Sequence, residues 1–385
     1  MATANAPANR WTTFDAIRGI AALGVVAHHV ILTWTGSTHD TLQYYLYYTP
    51  FEALFSGGKF VRVFFVISGF VLFLPFLKKN QPSWTQFYIR RFCRVWPPMA
   101  IVAVAAATLS LYLPPVSAIA GASHWFTTDT RPLEVTLTGL LRHLAMLGTD
   151  DSIKLNCVTW SLVHEARIML IFPLLVVAVL RRDLWCLALS MAASVLARQV
   201  YFYEGELTYF ATAETSPGAF ASTINFLPNF VFGMVMAKRI DQLKTMLASR
   251  NLAVIIALWV VSYLLIRRSQ DIAMGLGSSM FLMLCLCNAH VERFMRAAPL
   301  QWLGTLSYSL YLLHIPVIAG CVYALHDRVP LPVILLCAAT ATFILADIFQ
   351  RLVAEPAAAF GKYWANIVSP VQPRRSQQAS IALAA

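Results

Sequence analysis

The sequence predicts an all-α fold, a polytopic membrane helical bundle of about ten transmembrane spans. Three observations carry that expectation. Of the 385 residues, 58% are hydrophobic and 12% are charged, against about 25% charged residues in soluble domains. Apolar stretches approaching the ~20 residues that cross a bilayer recur along the whole chain. Lys and Arg fall in short clusters between those stretches, so the net charge of +11 reads as membrane orientation and not as nucleic-acid binding.

In chain order the spans are expected near residues 16–35, 60–77, 95–113, 158–180, 184–203, 219–237, 252–267, 271–290, 303–324 and 330–351. No long polar block divides them, so residues 1–362 form one transmembrane domain, and the polar stretch 363–385 is expected as a disordered tail. One side collects Lys78, Lys79, Arg90, Arg91 and Arg94, then Arg181 and Arg182, then Lys238 and Arg239, then Arg293 and Arg296. The other side is poorer in Lys and Arg, which places both termini in the cytoplasm of a multi-pass inner or plasma-membrane protein. The first span lacks a basic leader and cleavage site and reads as an uncleaved anchor. The longest outer segment, Pro114 to Cys157, holds His124, Trp125 and an amphipathic helix over Leu133 to Leu147. A second outer segment carries Glu204, Glu206 and Glu214. Both are places for an external acceptor to be met. The seven cysteines lie mostly in apolar spans and give no disulfide framework.

The chemistry-bearing residues begin in the first span, D-A-I-R-G-I-A-A-L-G-V-V-A-H-H, Asp15 to His29. Ionisable groups inside a span cost roughly 2.5 kcal/mol or more apiece and mark functional sites by default. Arg18 and His29 are eleven residues apart, so they share a helix face, about 20° from alignment and about 16 Å apart along the axis. That places a fixed cation near the membrane surface and a titratable base near the middle. His29 competes with the plainer role of a packing histidine; His28 points about 100° away and reads as structural. Arg90, Arg91 and Arg94 share a face of the third span. They serve either as an orientation anchor or as a phosphate clamp of forked guanidinium groups, and Pro97-Pro98 is expected to break or kink the helix after them. The run W-S-L-V-H-E-A-R, Trp160 to Arg167, places Glu165 to pair with Arg167 or to orient a catalytic histidine. It is no zinc helix, because Ile168 stands where H-E-x-x-H needs its second histidine. Tyr308, Tyr311 and His314 recur at three-residue spacing on one side of a helix. No metal is expected.

Taken together these motifs resemble the acyltransferase-3 family of integral membrane O-acyltransferases. D-x-x-R-G-x-A-A with a histidine eleven residues after the arginine resembles the first-helix signature, and V-F-F-V-I-S-G-F, Val63 to Phe70, the second. The R-R-x-x-R-x-x-P, W-S-L-x-x-E and L-G-x-x-S-Y-x-x-Y-L-x-H runs and Glu355-Pro356 follow in family order. Departures are Ala16 for a frequent glycine, Arg62 where many members carry an acid, and Ile168-Met169 for a frequent Phe-Tyr pair. The resemblance implies transfer of an acyl group, expected to be acetyl from acetyl-CoA, to a hydroxyl of a saccharide or lipid-linked saccharide acceptor. Arg18, Arg90, Arg91 and Arg94 would hold the donor's phosphates. His29 would deprotonate the acceptor or carry the acyl group, and Glu165 would orient a histidine or bind the acceptor. Tyr308, His314, Ser68 and Trp160 would line the acceptor's place. A proton-coupled transporter of a small polar solute is the rival, since it also needs intramembrane His, Arg and Glu; no internal repeat supports it.

Overall fold

The computed structural model describes residues 11–34, 49, 52, 56–113, 119–130, 136–146, 155–203, 216–268 and 270–369. Glu204, Glu206, Glu214 and residues 370–385 lie outside the described residues. The described chain is helical, with one isolated bridge between Trp34 and Ala122. In order the helices are α1 Thr12–Thr33, α2 Gly57–Phe73, α3 Trp84–Tyr112, α4 His124–Asp129, α5 Leu137–Leu144 and α6 Trp160–Tyr203. They continue as α7 Ser216–Lys238, α8 Ile240–Ala248, α9 Leu252–Ile266, α10 Asp271–Cys287 and α11 Ala289–Met295. The last are α12 Ala298–Leu325, α13 Leu331–Phe349 and α14 Glu355–Val368.

Seven helical segments among the described residues are long and apolar enough to cross a membrane, or eight if the bent pair α10–α11 (93°) is one span. The expectation of about ten spans differs from that figure in two places. Helix α9 has only 15 residues. Helix α6 is one hydrogen-bonded run with non-helical backbone at Arg182. Its two halves nevertheless run in opposite directions. In the first half His164 meets Thr223 and Val179 meets Lys238; in the second, Asp183 meets Arg239 and Ser194 meets Asn225. The charged turn Arg181-Arg182-Asp183 is thus where the chain reverses, as its sequence implies.

Apolar burial drives packing weakly inside a bilayer, so close helix contacts rest on small residues. A Cβ on Gly19 would sit 2.6 Å from the backbone of Gly304, and one on Gly304 2.3 Å from the Asp15 carbonyl. This crossing lays α1 and α12 side by side and parallel, with residue 304 beside 15–19 and residue 314 beside 29. Helix α2 runs antiparallel to α1, with Gly57 at His28 and Phe70 against Phe14. The bundle end holding Trp11 is called proximal below, the opposite end distal.

Three local expectations change. Pro97 and Pro98 lie inside α3 without breaking it. Neighbouring helices bond to the stretch just before the prolines, where Tyr308 Oη donates to the Val95 carbonyl (2.7 Å) and Trp96 Nε1 to that of Leu144 (2.8 Å). At 29 residues, α3 is about 44 Å long and overruns a ~30 Å hydrocarbon core. The amphipathic helix expected over Leu133 to Leu147 is shortened to Leu137–Leu144, capped by Thr136 and ended at Met146, whose φ is 53°. Helix α14 runs past Lys362 to Val368 and packs along α3, with Ser369 and Ser83 joined at 2.8 Å. Residues 363–368 of the expected tail are therefore helical.

Candidate active site

A cavity opens between α1, α2, α3, α6 and α12. Its charged lining is Arg18, Arg91, Arg94 and Glu165, three cations against one carboxylate, and Glu165 is ion-paired with Arg91. Arg91 and Arg94 follow Trp84 by seven and ten residues, about 10 and 15 Å along α3, in the part of the helix that reaches the proximal surface. The same spacing puts Arg18 about 9 Å along α1 from Thr12. Ser68, Ser161, Ser307, Tyr308 and Tyr311 add hydroxyls to the lining, and Phe64 and Phe65 close its apolar wall.

Tyr311 carries the cavity toward the distal half. Its Oη donates to the Val158 carbonyl (2.8 Å) and lies 2.7 Å from Ser161 Oγ, while its ring stands 6.1 Å from that of His314. His314 Nε2 is 3.1 Å from His29 Nδ1. His29 Nδ1 is also 2.9 Å from the Val25 carbonyl, and His314 Nδ1 is 3.0 Å from that of Leu310. The pair is enclosed, with His29 8% and His314 0% exposed. Trp125 of α4 stands over His29 at 5.5 Å between ring centroids. His29 is four residues from Thr33, the end of α1, about 6 Å along the axis. It therefore lies in the distal part of the span and not at its middle, because α1 begins at Thr12 instead of near 16.

Several expected site residues stand elsewhere. Arg90 leaves the arginine group and donates to Asn366 Oδ1 of α14 (2.8 Å). Glu165 is ion-paired with Arg91 of α3. Arg167 donates to Thr223 Oγ1 (3.3 Å), and His164 Nδ1 lies 2.9 Å from the same oxygen. Trp160 is buried against Phe226 and His164, and its neighbour Ser161 takes the cavity. His314 bonds His29 and is absent from the cavity lining. Conversely, Ser161 is not singled out by the sequence, Trp125 is named only within an outer segment, and Tyr311 only as a member of the tyrosine–histidine face. The three-residue step from Tyr308 is the signal for Tyr311, and the W-S-L run the signal for Ser161.

Fold and cavity together define a multi-pass membrane protein built around an intramembrane basic chamber and a buried histidine pair. The profile of the family described as "Acyltransferase domain" (Acyl_transf_3) matches residues 11–351. The chain belongs to the acyltransferase-3 family and is a membrane acyltransferase. It is 28% identical over 326 residues to Acyltransferase MdmB of Streptomyces mycarofaciens, covering 80% of this chain and 79% of that protein. It is 22% identical over 380 residues to Peptidoglycan O-acetyltransferase OatA of Listeria monocytogenes, covering 89% of this chain but 55% of that protein. No solved structure matches.

Proposed function

We propose that the protein transfers an acetyl group from acetyl-CoA, bound from the cytoplasmic side, to a hydroxyl of a saccharide acceptor. The observation that carries this reading is the cavity's charge, three arginines lining it against one carboxylate, continued by Tyr308 and Tyr311 toward His314 and through it to His29. Forked guanidinium groups match phosphate oxygens, so the proximal end suits a polyphosphate donor and takes the Lys- and Arg-rich cytoplasmic side. Arg18 and His29 stand about 16 Å apart along α1, a reach comparable to an extended pantetheine arm. With the phosphates on Arg18, Arg91 and Arg94, the thioester reaches the histidine pair. His29 takes the acceptor's hydroxyl proton as the oxygen attacks the thioester carbonyl. The C–S bond then breaks, and the thiolate recovers the proton from His29. The saccharide class is supported by the name of the OatA relative.

The test uses the full chain in nanodiscs with acetyl-labelled acetyl-CoA and a panel of cell-envelope saccharides. Label is expected on a saccharide oxygen, with free CoA in equal amount. CoA release with no labelled saccharide overturns the acceptor. Solute flux across vesicles without CoA release favours a transporter and overturns the whole reading.

A further inference from the structure

We propose that His314 is a positioning residue: it holds His29 with Nδ1 as the protonated nitrogen and Nε2 as the base. This rests on the acyl-transfer reading for its consequence, but its geometry stands apart from any substrate. A carbonyl oxygen accepts and never donates. His314 Nδ1, at 3.0 Å from the Leu310 carbonyl, therefore carries a proton. His29 Nδ1, at 2.9 Å from the Val25 carbonyl, carries one as well. A proton on His314 Nε2 would then set N–H against N–H across the 3.1 Å contact. The three contacts are satisfied together by one arrangement. Both rings are neutral, and His314 Nε2 offers its lone pair to a His29 Nδ1–H that is shared with Val25. The nitrogen left for chemistry on His29 is Nε2.

The second partner adds something that the first cannot. Val25 lies on the same helix as His29 and moves with it. His314 comes from α12, 285 residues away in sequence, and is fully buried, so it fixes the ring against a separate frame. When His29 Nε2 takes the hydroxyl proton, the new imidazolium keeps its Nδ1–H on a lone pair held by a rigid helix, and the acceptor oxygen is freed to attack. Returning that proton to the departing thiolate restores both neutral rings. His314 exchanges no proton in this cycle. A residue that orients the base acts on turnover and not on donor binding.

The experiment is nitrogen-15 NMR of histidine-labelled full chain in nanodiscs, with the His29 and His314 signals assigned by His29→Gln and His314→Gln, run beside steady-state kinetics. The expected spectrum has Nδ1–H neutral forms for both residues and a nitrogen–nitrogen coupling across the hydrogen bond. His314→Gln keeps an acceptor oxygen near the Nε2 position. It is expected to hold kcat within about tenfold, while His314→Leu removes the partner on α12 and is expected to drop kcat about 10²-fold at unchanged donor KM, with the Val25 carbonyl keeping His29 in its Nδ1–H form in both variants. An Nε2–H on either wild-type histidine overturns the assignment. So does wild-type kcat in His314→Leu, or an equal fall in Gln and Leu. Should His314→Leu not fold, the wild-type spectrum and the Gln variant still decide. The expected spectrum in a protein that transfers no acetyl group would keep the histidine arrangement and sink the proposed function instead.

Discussion

Two charged clusters stand on different faces of α2, and they differ in how their charges are met. On one face lies the chamber, with Arg18, Arg91 and Arg94 against Glu165. On the other, Arg62 is 4% exposed and donates from Nε (2.8 Å) and Nη2 (2.6 Å) to Asp271, and from Nη1 (2.8 Å) to the Gly58 carbonyl. Asn225 donates to the other Asp271 oxygen (2.6 Å) and accepts from Ser194 (2.9 Å). Arg62 also sits 4.9 Å over the Phe226 ring. Four spans are tied through one closed network. Intramembrane charge by itself marks a functional site only by default. Whether the charge is balanced inside the protein separates a lock from a receptor: Arg62 is matched by Asp271, whereas the chamber sets three arginines against Glu165 and the nearby Asp15 and keeps positive charge for a ligand.

The largest effect expected is on the chemistry that the chamber leads to. His29→Gln should insert and fold but lose about 10²–10⁴-fold in kcat, measured by CoA release at saturating donor. Near-wild-type turnover would remove the histidine pair from the reaction and leave the chamber as a binding site alone.

Next comes the lock. Arg62→Leu leaves Asp271 without its ion-pair partner, and breaking a buried pair costs about 3–5 kcal/mol. A clear fall in the thermal midpoint in detergent is expected, with donor KM unchanged in the protein that remains folded. Replacing both partners, Arg62→Leu with Asp271→Leu, should recover much of the loss, because the orphaned charge is gone. A raised donor KM in Arg62→Leu with normal stability would erase the distinction between the two faces.

These two predictions also mark what a sequence can disclose. The alignment of Arg18 with His29 follows from helical period and needs nothing beyond one helix. The reversal at Arg181-Arg182-Asp183 is written in charge between apolar runs. Pairings between helices are not: His314 with His29 spans 285 residues and Arg62 with Asp271 spans 209. Period places His314 on a face, but only packing decides what that face meets. The Gly19–Gly304 crossing is what brings residues 29 and 314 level. Trp160 shows the converse limit. Its motif neighbour Ser161 lines the chamber while Trp160 fills the core, since adjacent residues on a helix point about 100° apart.

Smaller effects should sort the chamber's cations. Arg18→Lys keeps the charge but loses the planar fork, and Arg94→Ala loses both. A charge-assisted hydrogen bond contributes about 1.5–3 kcal/mol, so donor KM should rise about tenfold or more in Arg94→Ala and less in Arg18→Lys, with kcat nearly held. A change confined to kcat would move these arginines from the donor to the reaction centre.

The smallest effect is expected at Arg90, and it tests the charge-balance rule most closely. Arg90 shares the arginine-rich turn with Arg91 and Arg94, and helical spacing alone gives all three one role. Packing divides them. Asn366 of α14 takes the Arg90 guanidinium at 2.8 Å, while Gly361, where a Cβ would lie 2.6 Å from that of Cys93, lets α14 lie close against α3. The chamber lining accordingly includes Arg91 and Arg94 but not Arg90. An exposed hydrogen bond of this kind contributes about 0.5–1.5 kcal/mol. Arg90→Ala should therefore loosen α14 slightly, seen as faster proteolysis near its C-terminal end, and move donor KM by no more than about threefold. Asn366→Ala should reproduce the loosening, because it removes the other half of the same contact. If Arg90→Ala instead raises donor KM as far as Arg94→Ala does, the donor's phosphates reach around α3, and the helix face counts for more than the partner that packing supplies.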